Sequence, residues 1–463
     1  MAVKDSFVKS FGLYFLGNIL SKLVMFFLLP IYTGYLSPDQ LGYYDVANTY
    51  LNLLLTFLFV DIYVGIMRFL FDYKEYDQPY KPISNGFLIF FISLSIYSLI
   101  AFVINLFWNI ELIGYIYVYG VGLVFNNLFG YLARALGLNT LFAISGVVGT
   151  LVTCFVSLFG LQHLGGDISI LYIAGICGFV IQILLLLMKM QLYRYLSFRY
   201  IDKDLLCSLF LFSIPLSLNS LAYWLLTGYS NIIISAMLGL DENGIYMVAL
   251  KFSFIINLLS NCFNLAWQEI AFRKGNEDKQ SLSVFYSNAM NLLIGFVGFG
   301  SIALMFVAWL LFPYMVSDAF YSAKGLIPMC IIAAVVNVVS GFMGQIYAAL
   351  KQTKKIIYPT LIASVVNIII VPLFVKWFGV LGATIAIVVS YSINVFMRIY
   401  LIRSSVAIYM NRRLLLKLCI LLAIALIFYY ESNVVCILMM LFFVLVFMLF
   451  YYKNIFLLIL KKS

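Results

Sequence analysis

Apolar runs long enough to cross a bilayer follow one another along nearly the whole chain, and this limits what it can fold into. They occupy 7–35, 43–69, 84–107, 113–133, 140–161, 170–190, 206–237, 244–271, 282–312, 326–350, 356–376, 381–402, 414–430 and 434–452. A helix of roughly 20 apolar residues spans the hydrocarbon layer. Inside that layer every backbone N–H and C=O must find its partner within a helix or a closed barrel. Barrel strands are short and alternate in polarity, whereas these runs are long and continuous. The expected fold class is an all-α polytopic membrane protein with about fourteen transmembrane helices. Charged residues are only 10% of the chain and the mean hydropathy is +1.08, values foreign to a soluble protein of this length. The first run is too long for a signal-peptide core and has no small-residue cleavage site, so it is expected to remain as a helix.

Lysine and arginine orient the chain. With both termini cytoplasmic, all but Lys22, Lys251, Lys324 and Lys376 of the 28 basic residues fall on the inner side or at inner helix ends. The net charge of +10 is then a topology signal, and no nucleic acid is needed to explain it. Outer loops are short, the longest lying around Pro313 to Gly325. The largest inner connection, KMQLYRYLSFRYIDKDL from Lys189 to Leu205, is basic and aromatic and reads as an interfacial segment joining two halves. Asp39-x-x-Gly42-x-Tyr44-x-Val46-Ala47 recurs as Asp241-x-x-Gly244-x-Tyr246-x-Val248-Ala249, each copy at the outer turn leading into the second helix of a half. Both copies start from the same membrane side, so the repeat is parallel. The expected organisation is a six-helix half over 1–190, a cytoplasmic linker over 191–205, a second six-helix half over 206–402 and two further helices in 403–463. Pro30, Pro215, Pro313, Pro328, Pro359 and Pro372 fall inside or at the ends of spans, as hinges or static bends.

Charge inside such spans is costly and marks function. Lys22 lies mid-span and shares a helical face with Asn18 and Ser21. Its stem is too short to snorkel from there, so it should face water or a polar ligand. The second span carries Asp45, Asn48, Thr49, Asn52 and Thr56 on one face, and the eighth carries Ser253, Asn257, Ser260, Asn261, Asn264 and Gln268. Such stripes either bond neighbouring helices or line an aqueous cavity, and two long ones favour a cavity. Lys251 lies away from the stripe on its own span and could snorkel, pair with an acid or face a lateral opening. Asp45 could neutralise Lys22 or hold a proton or ligand, while Asp61, opposite its stripe, reads as structural. Arg68, Arg134, Glu269 and Arg398 sit near inner helix ends, as anchors or as an inner vestibule for anions. The seven cysteines are scattered, His163 is the single histidine, and no phosphate loop, metal cluster, nucleophile triad or carboxylate pair is visible. Neither an enzyme nor a cofactor is expected.

At these residues the chain resembles the polysaccharide-export flippases, the Wzx-type proteins of the multidrug/oligosaccharidyl-lipid/polysaccharide exporter superfamily. The resemblance rests on Gly17-Asn18, on Pro30-Ile31-Tyr32-Thr33-Gly34-Tyr35-Leu36-Ser37-Pro38 with Gly42-Tyr43-Tyr44, on Arg68-Phe69, on Pro215, and on Gly244 through Ser253. It covers roughly residues 7–400. In one departure, Ser230-Asn231 stands where the seventh span of the family often carries an Asp-Arg pair. Fourteen spans also look like the lipid II flippases of the same superfamily. The resemblance implies a V-shaped exporter fold with a central cavity in the bacterial inner membrane. The implied cargo is undecaprenyl-diphosphate carrying an oligosaccharide repeat unit, moved for O-antigen, lipopolysaccharide or capsule assembly. Membrane lipids, a polysaccharide polymerase and a chain-length regulator are the implied partners. Lys22, with Arg68 or Lys251, could meet the diphosphate; Asn18, Asn48, Asn52, Asn257, Asn261 and Asn264 could meet sugars; Asp45 could couple an ion. The rival readings are a small-molecule exporter and a lipid II flippase.

Overall fold

The computed structural model describes residues 26–74, 80–192, 195–274, 279–350, 352, 354–431, 438 and 442, and among them every regular element is a helix. In chain order these are α1 (Leu29–Tyr35), α2 (Pro38–Phe59), α3 (Ile62–Lys74), α4 (Tyr80–Phe107), α5 (Ile113–Ala135), α6 (Asn139–His163) and α7 (Ser169–Met190). They continue as α8 (Lys203–Thr227), α9 (Tyr229–Leu238), α10 (Leu240–Lys274), α11 (Lys279–Met315), α12 (Ala323–Ala349), α13 (Lys354–Ile402) and α14 (Arg412–Glu431). Among the described residues nine helical stretches are long and apolar enough to cross a membrane, and the bent pair α2–α3 makes a tenth. The chain is a multi-pass helical membrane protein. Much of the first expected span and nearly all of the last lie outside the described residues. Two expected spans, 356–376 and 381–402, form the single element α13, which is interrupted at Gly379 (φ 59, ψ −142).

Local chemistry sets the helix starts. Ser37 caps α2: its hydroxyl accepts the Gln40 N–H while the Gln40 side chain returns to the Ser37 N–H, with Pro38 in the first turn. Asp39 in the first turn of α2, and Asp241 and Glu242 in that of α10, place negative charge at the positive end of the helix dipole. The two copies of the sequence repeat are thus two helix beginnings, each with its glycine buried. Pro215, Pro313, Pro328, Pro359 and Pro372 all lie inside helices, whereas Pro30 opens α1.

The chain divides into two compact units, with the boundary between Ile232 and Ile233. In the first, α3 packs on α4, α5 and α8, and α7 packs on α5 and α6. Its core gathers Phe59, Ile62, Ile66, Leu70, Phe90 and Leu128, all almost fully buried. Helices α6 and α7 approach closely through glycines: a Cβ on Gly178 would stand 2.1 Å from Thr153 Oγ1 and 2.8 Å from the Gly149 carbonyl oxygen. Helix α8, which the sequence sets at the head of the second half, packs against α2, α3 and α4. In the second unit α12 packs on α10, α11 and α13, and α14 packs on α11. Met290, Leu293, Phe312, Ile331, Phe342 and Tyr347 form its buried interior.

The connection before α8 is held against the start of α4. Ser84 Oγ donates to the Tyr195 carbonyl and accepts the Ser197 N–H. The fully buried Asn85 donates to the Tyr200 carbonyl at 2.8 Å and accepts the Asp202 N–H at 2.9 Å. Asp202 then caps α8 by accepting the Asp204 N–H. Asn85→Ala leaves both backbone groups unpaired, and each such buried loss costs about 1–3 kcal/mol. The expected outcome is a lower melting temperature of the purified protein and faster proteolytic cutting within 191–202. Unchanged melting and cutting would show that the connection is held by other contacts.

Candidate functional site

The polar face of α2 meets a matching polar face of α8 within the first unit. On α8, Ser213, Ser217, Ser220 and Trp224 are spaced by four, three and four residues, which puts them on one side of the helix. From that side, the Trp224 indole N–H donates to the Thr49 carbonyl at 3.2 Å, the Ser217 hydroxyl to the Thr56 carbonyl at 3.0 Å, and the Ser220 hydroxyl to Asp61 Oδ2 at 2.7 Å. Asn231 on α9 is buried, and its amide donates to Asp45 Oδ2 at 2.7 Å and to Thr49 Oγ1 at 3.2 Å.

The α2 stripe also bonds to itself. Asn48 and Asn52 donate to the carbonyls of Tyr44 and Asn48, and Thr49 and Thr56 donate to those of Asp45 and Asn52, all between 2.7 and 2.8 Å. This return to the carbonyl one turn back is a bond that short polar side chains make within helices. The stripe is divided in its surroundings. Thr49 is buried against α8, Asp45 and Asn48 are half-buried, and Asn52 is exposed. Asn48 Oδ1 is itself buried and accepts no hydrogen bond. The face therefore combines bonding between helices at Thr49 and Thr56 with an open amide at Asn52.

Of the other residues singled out from the sequence, Lys22 and Asn18 lie outside the described residues. Arg68 is exposed on α3, while Lys251 and Asn257 are half-buried on α10. Asn261 and Asn264 fall within α10, with side chains outside the described set. Arg134 donates to the Gly130 carbonyl and lies 4.2 Å over the Tyr131 ring. Arg398 is buried, donating to the Ser340 carbonyl and, at 3.0 Å, to Thr360 Oγ1. The α8 face does not stand out in the sequence. Its seven-residue serine spacing was visible, but serine is common in apolar helices and carries no charge to draw notice. Asn231 reads from the sequence only as the absence of a cation, whereas in the structure it donates a hydrogen bond to Asp45.

The fold is shared with solved structures of membrane transporters. Among solved structures, the chain is similar to the lipid II flippase MurJ in an inward closed conformation, with a TM-score of 0.70 and 15% identity over 96% of this chain and 99% of that one. It is also similar to a multidrug resistance MATE family transporter in its inward-facing form, with a TM-score of 0.63 and 14% identity over 85% of this chain and 96% of that one. The outward-facing MATE form gives 0.61 and 15% over 86% of this chain and 95% of that one. No family model and no curated protein matches the sequence.

Proposed function

We propose that this protein is a flippase that carries undecaprenyl-diphosphate-linked oligosaccharide repeat units across the bacterial inner membrane by alternating access. In this reading it has about fourteen spans and cytoplasmic termini and serves O-antigen or capsule assembly ahead of a polymerase and a chain-length regulator. The observation that carries this reading is the extent of the likeness. It covers 96% of the chain against a lipid-linked-substrate flippase, but 85% and 86% against the two multidrug transporter forms. A diphosphate and its sugars cannot cross hydrocarbon unaided, whereas a polyprenyl tail can remain in it. Such a cargo needs a cation for the diphosphate, amides and hydroxyls for the sugars, and no catalytic group. Lys22 is the proposed diphosphate contact, with Arg68 or Lys251. Asn18, Asn48, Asn52, Asn257, Asn261 and Asn264 are proposed sugar contacts, and Asp45 a coupling group.

Lys22→Ala should lower surface polysaccharide at matched expression by tenfold or more, the worth of about one charge-assisted hydrogen bond. Lys22→Arg should retain most of it. Full surface glycan in the alanine variant removes Lys22 from the mechanism. The likeness to a lipid II flippase supports a second reading, lipid II itself as cargo. Rescue of cells depleted of their essential lipid II flippase distinguishes the two.

A further inference from the structure

Helix α2 has two faces, and the one opposite its polar stripe is hollowed. Tyr43, Tyr50 and Phe57 recur every seven residues along that face. With Tyr97 and Ile104 of α4 and Ile113 of α5 they line a cavity of about 780 Å³. All three helices belong to the first unit. From Tyr43 to Phe57 the groove follows α2 for about 21 Å, at 1.5 Å per residue. One leaflet is half of the ~30 Å hydrocarbon layer, so the groove is long enough for a whole acyl chain of that leaflet.

The lining suits hydrocarbon. Its walls are aliphatic and aromatic, and three of its tyrosine hydroxyls are engaged elsewhere. Tyr43 donates to the Glu111 carbonyl, Tyr97 to the Tyr117 carbonyl at 3.3 Å, and Tyr117 shares a 2.8 Å bond with Ser98 Oγ. The Tyr97 and Tyr117 rings stack at 5.3 Å and stiffen that wall. A sugar or a diphosphate placed there loses its water and gains few partners in return. The groove opens sideways. Tyr50 and Phe57 are exposed at its rim, and Leu99, Phe102 and Leu106 continue the exposed apolar surface along α4.

The mouth of the groove is charged. Glu111 is exposed in the turn between the lining residues Ile110 and Ile113, and its own carbonyl holds Tyr43. No lysine or arginine occurs in 23–67, 82–133 or 135–188. The end of the first unit where α2, α5 and α7 begin therefore carries Asp39, Glu111 and Asp167, with His163 and no lysine or arginine. Such a rim repels an anionic headgroup and attracts an ammonium. A primary ammonium also donates hydrogen bonds to a carboxylate, which a quaternary one cannot do.

We propose that this groove is a binding site for phosphatidylethanolamine, with one acyl chain lying between α2, α4 and α5 and the lipid ammonium on the Glu111 carboxylate. The bound chain packs against the aromatic face of α2 and ties the second span to α4 and α5. The site lies on the side of α2 away from the polar stripe, so the inference does not depend on which molecule is transported.

The test uses the full-length protein in detergent with a trace of phosphatidylethanolamine that carries a photoreactive group on one acyl chain. Unlabelled phosphatidylethanolamine, phosphatidylcholine and phosphatidylglycerol are added as competitors, and labelled peptides are identified after illumination. Labelling is expected in peptides covering 43–57 and 97–117. Phosphatidylethanolamine should compete at a concentration about threefold or more below that of either other lipid, a modest factor because an exposed ion pair is weak. It should also raise the melting temperature by several degrees, as a ligand of the folded state does. Glu111→Gln keeps the backbone carbonyl, removes the charge and should erase the preference among the three lipids. If that variant does not fold, Ala101→Phe, which fills the groove from α4, should cut labelling of 43–57 about threefold or more. Labelling confined to other peptides overturns the proposal, as does equal competition by the three lipids in the natural protein. So does an undiminished preference in Glu111→Gln, or undiminished labelling in Ala101→Phe where that variant is the one tested.

Discussion

Replacing Asn231 by aspartate should destabilise the protein more than replacing it by leucine, and acid should reverse most of the loss. Asn231 donates to Asp45 Oδ2 at 2.7 Å, from a buried position on α9. Leucine removes one donor and leaves Asp45 to its remaining contacts, a cost of about 1–3 kcal/mol. Aspartate removes the same donor and sets a second carboxylate about 3 Å away. At an effective dielectric near 20, two like charges at that separation repel by about 5 kcal/mol. Thr49, which also accepts from Asn231, supplies one hydroxyl that already donates to the Asp45 carbonyl. One proton shared between the two carboxylates removes the repulsion and restores a bond of similar length. The folded variant then binds a proton that the unfolded chain does not, so its stability rises as pH falls and is lost as pH rises. The expected result is a melting temperature for Asn231→Asp far below that of Asn231→Leu near pH 8, with the gap closing toward about pH 5. If the gap is the same at both ends of the range, residues 45 and 231 are not neighbours in the folded protein.

The helical class and the approximate position of each span were legible because hydrophobic length is a one-dimensional signal. The repeat was legible for a related reason: Ser37 with Gln40, and the acids at 39 and 241, are short-range helix-start chemistry. The break at Val60 and Asp61 was not legible. Nothing local demands it, since the neighbours are apolar and neither residue is glycine or proline. It depends on Ser217 and Ser220, more than 150 residues away in the chain. The division of the α2 stripe was hidden in the same way. Periodicity shows that Asp45, Asn48, Thr49, Asn52 and Thr56 share a face, but it does not show which of them another helix covers. Asp61 reads as structural because it lies off that face, provided the helix runs straight through it. The 45° bend removes that assumption.

Gly178→Leu should be strongly damaging, and the reason is backbone rather than side chain. The carbonyl oxygen of Gly149 stands 2.8 Å from where a Cβ on Gly178 would lie, and the reverse distance is the same, so each helix sits in the space the other's Cβ would need. Small residues at such crossings let membrane helices pack by van der Waals contact, where no hydrophobic force drives them together. Rotating Thr153 away does not relieve the clash, because the Gly149 carbonyl is part of α6 itself. The two helices must separate, and overpacking of this kind costs about 3 kcal/mol or more. The α6–α7 pair is among the most extensive helix contacts of the first unit, so its loss should prevent accumulation of folded protein. Gly341→Ala is the matched control: it is a helical glycine on α12 with nothing within 4 Å of its Cβ position, and the change should be neutral or slightly stabilising. Monodisperse yield on size-exclusion chromatography separates the two outcomes. Equal yields for Gly178→Leu and Gly341→Ala would mean that α6 and α7 do not cross at Gly149 and Gly178.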